Sequence, residues 1–309
     1  MTGWLWVILI GVALVPFFRD RWRKPVGRRM RKSAPGSFAK LKSGTTHYRW
    51  LGRVRGPVLV CVHGLTTPSF VWDRLAPLLG NLGFRVLVYD LYGRGYSDRS
   101  RRAQTPEFFA NQLEELLDHL EIRNDITLLG YSMGGVIGSR FAVAHPDRLR
   151  QLVLLAPAGM LINFHPVIAW AMNWPFVGDW LFHMVFPNAF FKATEAERAK
   201  HPEVGDIIDQ QQGELHRRGF LRAVLSSLRG SLRKPGPKLF KALAKLPLPV
   251  YAIWARDDQT IPIDALGQLA QWHRDAIHEV IDGAGHGVPY THPAEVAEVL
   301  ATLLDLSDE

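Results

Sequence analysis

The chain has 309 residues, of which 47% are hydrophobic and 21% charged, so it has enough apolar material for one large core. Its formal net charge is +8, but ten Lys and Arg residues and one acid, Asp20, fall between Arg19 and Lys42, which leaves residues 43–309 near neutral. A near-neutral globular part argues against a protein that binds the phosphate backbone of nucleic acids. The single cysteine, Cys61, excludes a disulfide within the chain.

Residues 1–18 are uncharged and rich in Trp, Leu, Val and Ile. This length is at the lower limit for a helix that spans a bilayer, and the basic residues follow it, whereas in a cleavable signal peptide they come first. We predict a retained N-terminal membrane anchor, and the alternatives are a helix lying on the membrane surface or an uncleaved signal of another kind. By the positive-inside rule, the basic cluster from Arg19 to Lys32 places the next domain on the cytoplasmic face.

Residues 19–36 are basic, contain Pro25 and Pro35, and show no apolar periodicity. We interpret this segment as a tether between the anchor and the folded domain. Its positive charge suits anionic lipid headgroups, and a plain solvated linker is the alternative.

From residue 37 onward, short aliphatic runs alternate with stretches of helical apolar spacing. The runs are typical of strands buried on both faces of a parallel sheet, and they cover residues 58–62, 86–89, 126–129, 152–155 and 250–254. Helices are predicted between them, over residues 72–82, 106–120 and 135–144. This alternation predicts a doubly wound α/β core, with residues 37–51 as an antiparallel hairpin at its edge.

Between residues 159 and 245 the alternation stops, and Trp, Phe, Met and Leu become frequent. We predict a helical cap over the catalytic end of the sheet, so that the core consists of residues 37–158 and 246–309. Trp170, Trp174, Phe182 and Phe186 are candidates for lining an apolar substrate pocket. Alternatively, such aromatic side chains pack the core of the cap itself.

A nucleophile motif follows the predicted strand at 126–129. Gly130-Tyr131-Ser132-Met133-Gly134 lies between that strand and a predicted helix. A turn this tight forces its middle residue into a strained conformation with the side chain above the sheet, and small flanking residues avoid clashes. Ser132 is therefore the candidate nucleophile.

A serine hydroxyl needs a base to accept its proton and an acid to orient that base. His286 lies among glycines after a short run over 277–281, and we take it as the base. Asp257 and Asp258 both follow the strand at 250–254, and either could orient the histidine or cap the turn.

Two backbone N–H groups are needed to stabilise the oxyanion. We expect one from Met133, the residue after the nucleophile, and one from Leu65, in the loop after the strand at 58–62. His63 in the same loop is interpreted as a brace that works through hydrogen bonds, with a role as base as the alternative.

From about residue 37 to its end, the chain resembles the capped α/β-hydrolases. Five motifs in the order of that family carry the resemblance: Val62-His63-Gly64, Tyr89-Asp90-Leu91-Tyr92-Gly93-Arg94-Gly95-Tyr96-Ser97-Asp98, Gly130-Tyr131-Ser132-Met133-Gly134-Gly135, Trp254-Ala255-Arg256-Asp257-Asp258-Gln259-Thr260-Ile261-Pro262 and Gly285-His286. The resemblance implies that the second acid, Asp258, is the triad member. Related dehalogenases and epoxide hydrolases of that family carry Asp at the nucleophile position, so Ser132 argues against both of these activities. Ala255 stands where the family usually has Gly.

The anchor and the aromatic cap most resemble those of monoacylglycerol lipases and similar lipid esterases. We expect a membrane-anchored enzyme that cleaves carboxylic esters of single-chain lipids such as monoacylglycerols or lysophospholipids. The alternatives are a C–C bond hydrolase, thioesterase, amidase or perhydrolase with the same triad, and a non-catalytic ligand-binding protein. We expect no metal and no cofactor, because ligand clusters and a complete dinucleotide fingerprint are missing from the sequence.

Overall fold

The computed structural model describes residues 2–233 and 236–304. Its centre is an eight-stranded sheet with the order β1-β2-β4-β3-β5-β6-β7-β8. The strands β1 to β8 are, in chain order, Ser37–Leu41, Gly44–Gly52, Val58–Val62, Arg85–Tyr89, Ile126–Tyr131, Leu149–Leu155, Val250–Ala255 and Ile277–Ile281. Strands β3 to β8 are parallel, and the β1–β2 hairpin is antiparallel and pairs with β4. The predicted α/β core with an edge hairpin is confirmed.

Helices cover both faces of the sheet. They are α3 Leu75–Asn81, α4 Pro106–His119, α5 Met133–Ala144, α11 Asp264–Trp272, α12 Val288–Thr291 and α13 Pro293–Leu303. Successive residues of a strand point to opposite faces, so in β3 Val60 contributes to one buried cluster and Cys61 to the other. Helices α4 and α5 pack in the first cluster, and α3 and α13 in the second. Burial on both faces explains why these strands have continuous aliphatic sequences.

A helical insert lies between β6 and β7. It consists of α6 Pro166–Asn173, α7 Val177–Lys200, α8 Gly205–Glu214, α9 Phe220–Ser227 and α10 Gly236–Leu243. A π-helical segment, Leu228–Leu232, continues α9. We call this insert the cap.

The N-terminal segment folds differently from the predicted anchor and tether. Helix α1, Thr2–Trp22, continues past residue 18, and α2 spans Arg28–Lys32. Among the described residues, no helix is long and apolar enough to cross a membrane, so a spanning anchor is not found. The predicted tether is attached to the cap: the Gly219 N–H donates to Asp20 at 3.0 Å, and the Lys24 N–H donates to the His216 carbonyl at 3.0 Å. The tether prediction missed these contacts because their partners lie about two hundred residues away in the chain.

Helix α1 is also joined to the cap through a backbone carbonyl left free by a proline. Pro16 lies inside α1 and has no N–H, so the Val12 carbonyl, four residues earlier, loses its helical donor. The indole Nε1 of Trp180, in α7, donates to this carbonyl at 2.8 Å. One side chain of the cap thus replaces the missing hydrogen bond of α1.

This replacement predicts that the effects of substituting Trp180 and Pro16 are energetically coupled. Trp180→Phe should expose the basic residues after α1 to trypsin more often, because the Val12 carbonyl loses its donor, at a cost of about 1 kcal/mol. In a Pro16→Ala background the alanine N–H supplies the donor, so the effect of Trp180→Phe should become smaller. A double-mutant cycle of tryptic cleavage rates measures this difference. Equal effects in the two backgrounds would contradict the assignment.

Candidate active site

Ser132 occupies a strained turn between β5 and α5. Its φ is 53° and its ψ −118°, in the region that disfavours side chains. The turn is held by the Ser132 N–H, which donates to the Leu155 carbonyl at 3.0 Å. A Cβ on Gly130 would collide with the Gly134 carbonyl, and a Cβ on Gly134 with the Val62 carbonyl. Only glycine at both positions allows α5 to begin this close to the sheet.

The structure brings His286 and Asp258 to Ser132. The three residues follow β5, β7 and β8, whose carboxyl ends meet at one edge of the parallel sheet. His286 Nε2 lies 3.1 Å from Ser132 Oγ, and His286 Nδ1 lies 2.6 Å from Asp258 Oδ2. Asp258 is buried, whereas Asp257 is exposed, so the choice that the sequence left open falls on Asp258.

Further hydrogen bonds fix the acid and the base in place. The other carboxylate oxygen of Asp258 accepts the N–H groups of Thr260 at 2.7 Å and Ile261 at 2.8 Å. The Tyr131 hydroxyl donates to the His286 carbonyl at 2.7 Å. Both members of the pair are therefore oriented before any substrate binds.

His63 orients the peptide that carries the Leu65 N–H. Its Nε2 accepts the Leu91 N–H at 2.9 Å, so Nδ1 carries the proton and donates to the Gly64 carbonyl at 2.8 Å. That carbonyl and the Leu65 N–H belong to one peptide and point in opposite directions. Burial lowers the pKa of His63 to about 4, which keeps the ring neutral. With both ring nitrogens engaged inside the protein, His63 is placed as a brace and not as a base.

The two N–H groups predicted for the oxyanion are available. Within the described part of the chain, neither the Leu65 N–H nor the Met133 N–H has a protein acceptor. Leu65 lies at the wall of the cavity beside Ser132, and Met133 is the first residue of α5. Unpaired N–H groups at a helix start are suited to an anion.

Arg94 joins the Leu65 loop to the cap. Its buried guanidinium donates to the Leu65 carbonyl at 2.9 Å and to Ser227 of α9 at 2.8 Å. It also hydrogen-bonds Gln104. The planar guanidinium fixes the directions of its donors, which the rotatable ammonium group of a lysine does not. The oxyanion loop and the cap are therefore coupled through one side chain.

Comparison with known proteins agrees with this geometry. Residues 57–293 match the model of the alpha/beta hydrolase fold family. The chain belongs to the α/β-hydrolase fold family.

Relatives of this α/β-hydrolase are named for different substrates. This chain is 21% identical to the 2-hydroxy-6-oxo-6-(2'-aminophenyl)hexa-2,4-dienoic acid hydrolase of Metapseudomonas resinovorans, over 85% of this chain and 89% of that protein. It is 23% identical to monoacylglycerol lipase abhd6-B of Xenopus laevis, over 98% and 89%. The crystal structure of the enol-lactonase from Burkholderia xenovorans LB400 shares the fold with a TM-score of 0.71 at 20% identity, covering 88% of this chain and 100% of that one.

The candidate site of this α/β-hydrolase opens into a cavity of about 750 Å³ between the sheet edge and the cap. Ser132 and His286 lie at its floor. Its apolar wall comes from the cap and from the loop after β6, and it includes Ile162, Ile168, Phe186, Ala189, Phe190, Leu228 and Leu232. A cavity of this size and lining accommodates a ligand with an apolar body.

Of the four aromatic residues predicted to bind substrate, only Phe186 lines the cavity. Phe182 is buried one helical turn away and stacks on Phe186 at 4.5 Å between ring centroids. Trp170 and Trp174 lie outside the cavity, 42% and 57% exposed, and stack on each other. The structure places these three residues outside the cavity wall, and aromatic composition does not reveal which face of a cap helix points inward.

Polar residues at the cavity were missed by the sequence reasoning. Glu197, Gln211 and Tyr290 line or adjoin it and form a hydrogen-bonded group. The spacing of Phe186, Phe190 and Glu197 along α7 was the available signal. Among the residues that the structure describes, no group of three His, Cys, Asp or Glu side chains could hold a metal ion.

The role of His63 gives a kinetic prediction. His63→Leu should lower kcat for an ester substrate by about tenfold or more with little change in KM, because the Leu65 N–H is no longer aimed at the oxyanion. His63→Asn keeps a donor near the Gly64 carbonyl and should recover part of the loss. Steady-state kinetics on folded variants measures both. If the two variants behave alike, the brace is not what His63 supplies.

Proposed function

We propose that this α/β-hydrolase is a serine esterase that cleaves carboxylic esters through an acyl-enzyme on Ser132. The proposal rests on one observation: a strained serine with its Oγ 3.1 Å from His286, which is itself 2.6 Å from a buried carboxylate. This arrangement supplies a nucleophile, a base and an orienting acid.

In acylation, Ser132 Oγ attacks the ester carbonyl carbon while His286 Nε2 accepts the hydroxyl proton. Asp258 stabilises the resulting imidazolium, and the N–H groups of Leu65 and Met133 bind the oxyanion. The bond from carbon to the alcohol oxygen then breaks, and His286 gives its proton to the departing alcohol.

In deacylation, His286 accepts a proton from water, whose oxygen attacks the acyl carbon. The bond to Ser132 Oγ breaks, the serine takes the proton back, and the carboxylic acid leaves. One ester and one water thus give one alcohol and one acid.

The proposed substrates are esters of single-chain lipids, in the class of monoacylglycerols and lysophospholipids. The apolar cavity wall suits one acyl chain, and a monoacylglycerol lipase is among the relatives. Because a dienoic acid hydrolase is among the relatives, C–C bond cleavage is the second candidate function.

We further propose that α1 lies in the surface layer of a bilayer and holds the active site there. Its apolar side chains have little protein cover: Trp4 is 79% exposed, and Leu5 and Ile8 are 60% exposed. The exposed basic residues after them suit anionic headgroups on the cytoplasmic face.

The catalytic proposal predicts the behaviour of Ser132→Ala. This variant should lose turnover of monoacylglycerols by a factor of about 10⁴ or more, because the acyl-enzyme cannot form. Unchanged turnover in the variant would refute the serine mechanism. A panel that includes lysophospholipids, thioesters, amides and a 2-hydroxy-6-oxo-dienoic acid identifies the bond, and cleavage of the dienoic acid alone would favour the C–C hydrolase.

The membrane proposal predicts selective loss of vesicle binding. Leu5→Asp with Ile8→Asp should abolish co-flotation with vesicles of anionic phospholipid, because two charges would enter the apolar layer. Val54→Asp, at an 87% exposed apolar residue of the catalytic domain, is the matched control and should float like the wild type. Equal flotation of all three proteins would exclude α1 as the contact.

A further inference from the structure

One face of helix α7 changes from apolar to polar along the cavity. The cavity-lining residues of this face recur every three or four positions. Phe186, Ala189, Phe190 and Ala193 form its first part, and its last part consists of Thr194, Glu197 and Lys200, with Ala196 between them. The cavity therefore has an apolar end and a polar end, separated along one helix.

The polar end centres on the carboxylate of Glu197. Its Oε2 accepts the Tyr290 hydroxyl at 2.9 Å, and Gln211 donates to that hydroxyl at 3.2 Å. Its Oε1 lies over Gly287, where a Cβ would collide with it. Glu197 thus reaches the residue that directly follows His286.

The second oxygen of Glu197 is available to a ligand. Within residues 2–233 and 236–304, Oε1 has no hydrogen-bond donor, although Glu197 lines the cavity. Desolvation by burial raises the pKa of Glu197 above its ordinary value, and the Tyr290 hydroxyl opposes this shift. A half-buried carboxylate that keeps an empty acceptor site suits a hydroxyl group as donor.

We propose that Glu197, held by Tyr290, forms a subsite for the hydroxyl groups of the alcohol part of the ester. The inference rests on the proposed esterase function and names its substrate class. With the acyl chain at the apolar end beside Phe186 and Phe190, the alcohol part falls at the polar end beside His286. The carboxylate accepts hydrogen bonds from a polyol such as glycerol. The subsite therefore favours esters of glycerol over esters of simple alcohols such as methanol.

The test compares esters that differ only in the alcohol. Glyceryl and methyl esters of one fatty acid are assayed with the wild type and with Glu197→Gln. In the variant, the amide oxygen must accept from Tyr290, so its NH₂ group faces the ligand and the charged acceptor is lost. We expect kcat/KM to fall about tenfold for the glyceryl ester and less than twofold for the methyl ester.

Two controls separate the subsite from other effects. Glu195→Gln, on the same helix but away from the cavity wall, should leave the ratio of glyceryl to methyl ester unchanged. Tyr290→Phe should lower the same ratio as Glu197→Gln does. An equal loss for the glyceryl and methyl esters would overturn the subsite, because Glu197 would then act through His286 or the fold.

Failure of the proposed substrate class is recognised independently. The glyceryl and methyl esters are compared at the acyl length that the wild type cleaves fastest, which can be as short as acetate. If the wild type cleaves only short esters, the lipid substrate is refuted, but the comparison still tests the subsite. Protection of Ser132 from a fluorophosphonate by 1-O-alkylglycerol, compared with the matching alkyl methyl ether, gives a binding readout without turnover. Equal protection by both ethers would overturn the subsite.

Discussion

The turn at Ser132 is the constraint on which the rest of the site depends. Its positive φ costs about 1–3 kcal/mol, and it is held by a hydrogen bond to the neighbouring strand β6 and by the close contact of Gly130 with Gly134. Because this turn fixes Oγ above the sheet edge, the loops after β7 and β8 need only deliver one acid and one imidazole there. The same turn begins α5, whose first N–H is left for the oxyanion.

A second layer of contacts links this rigid floor to the cap and the N-terminal helix. Arg94 connects the Leu65 loop to α9, and Trp180 connects α7 to α1. Helix α7 therefore faces the proposed membrane contact near one end and the polar subsite near the other. An acyl chain that enters from a bilayer would meet the apolar half of α7 first, and its ester would stop at Ser132.

The sequence predicted the parts of the site that depend on local chemistry. Ser132, His286 and the sheet follow from short motifs and from strand periodicity, because a nucleophile turn permits few residue types. The choice of Asp258 over Asp257 as the orienting acid depended on the family resemblance. The inward face of the cap could not be predicted in this way. Trp170 and Trp174 are of a residue type that often lines pockets, but they lie on the surface, because helix orientation is set by long-range packing. Likewise, the contact of Asp20 with Gly219 leaves no local pattern in a basic segment.

The most direct test of the central claim is to locate the reactive serine. Intact, folded protein is treated with a fluorophosphonate, and the modified peptide is identified by mass spectrometry. A nucleophilic Ser132 activated by His286 should give one adduct, on Ser132, that disappears in His286→Ala because the base no longer activates the hydroxyl. An adduct on another residue, or none in protein shown to be folded, would contradict it.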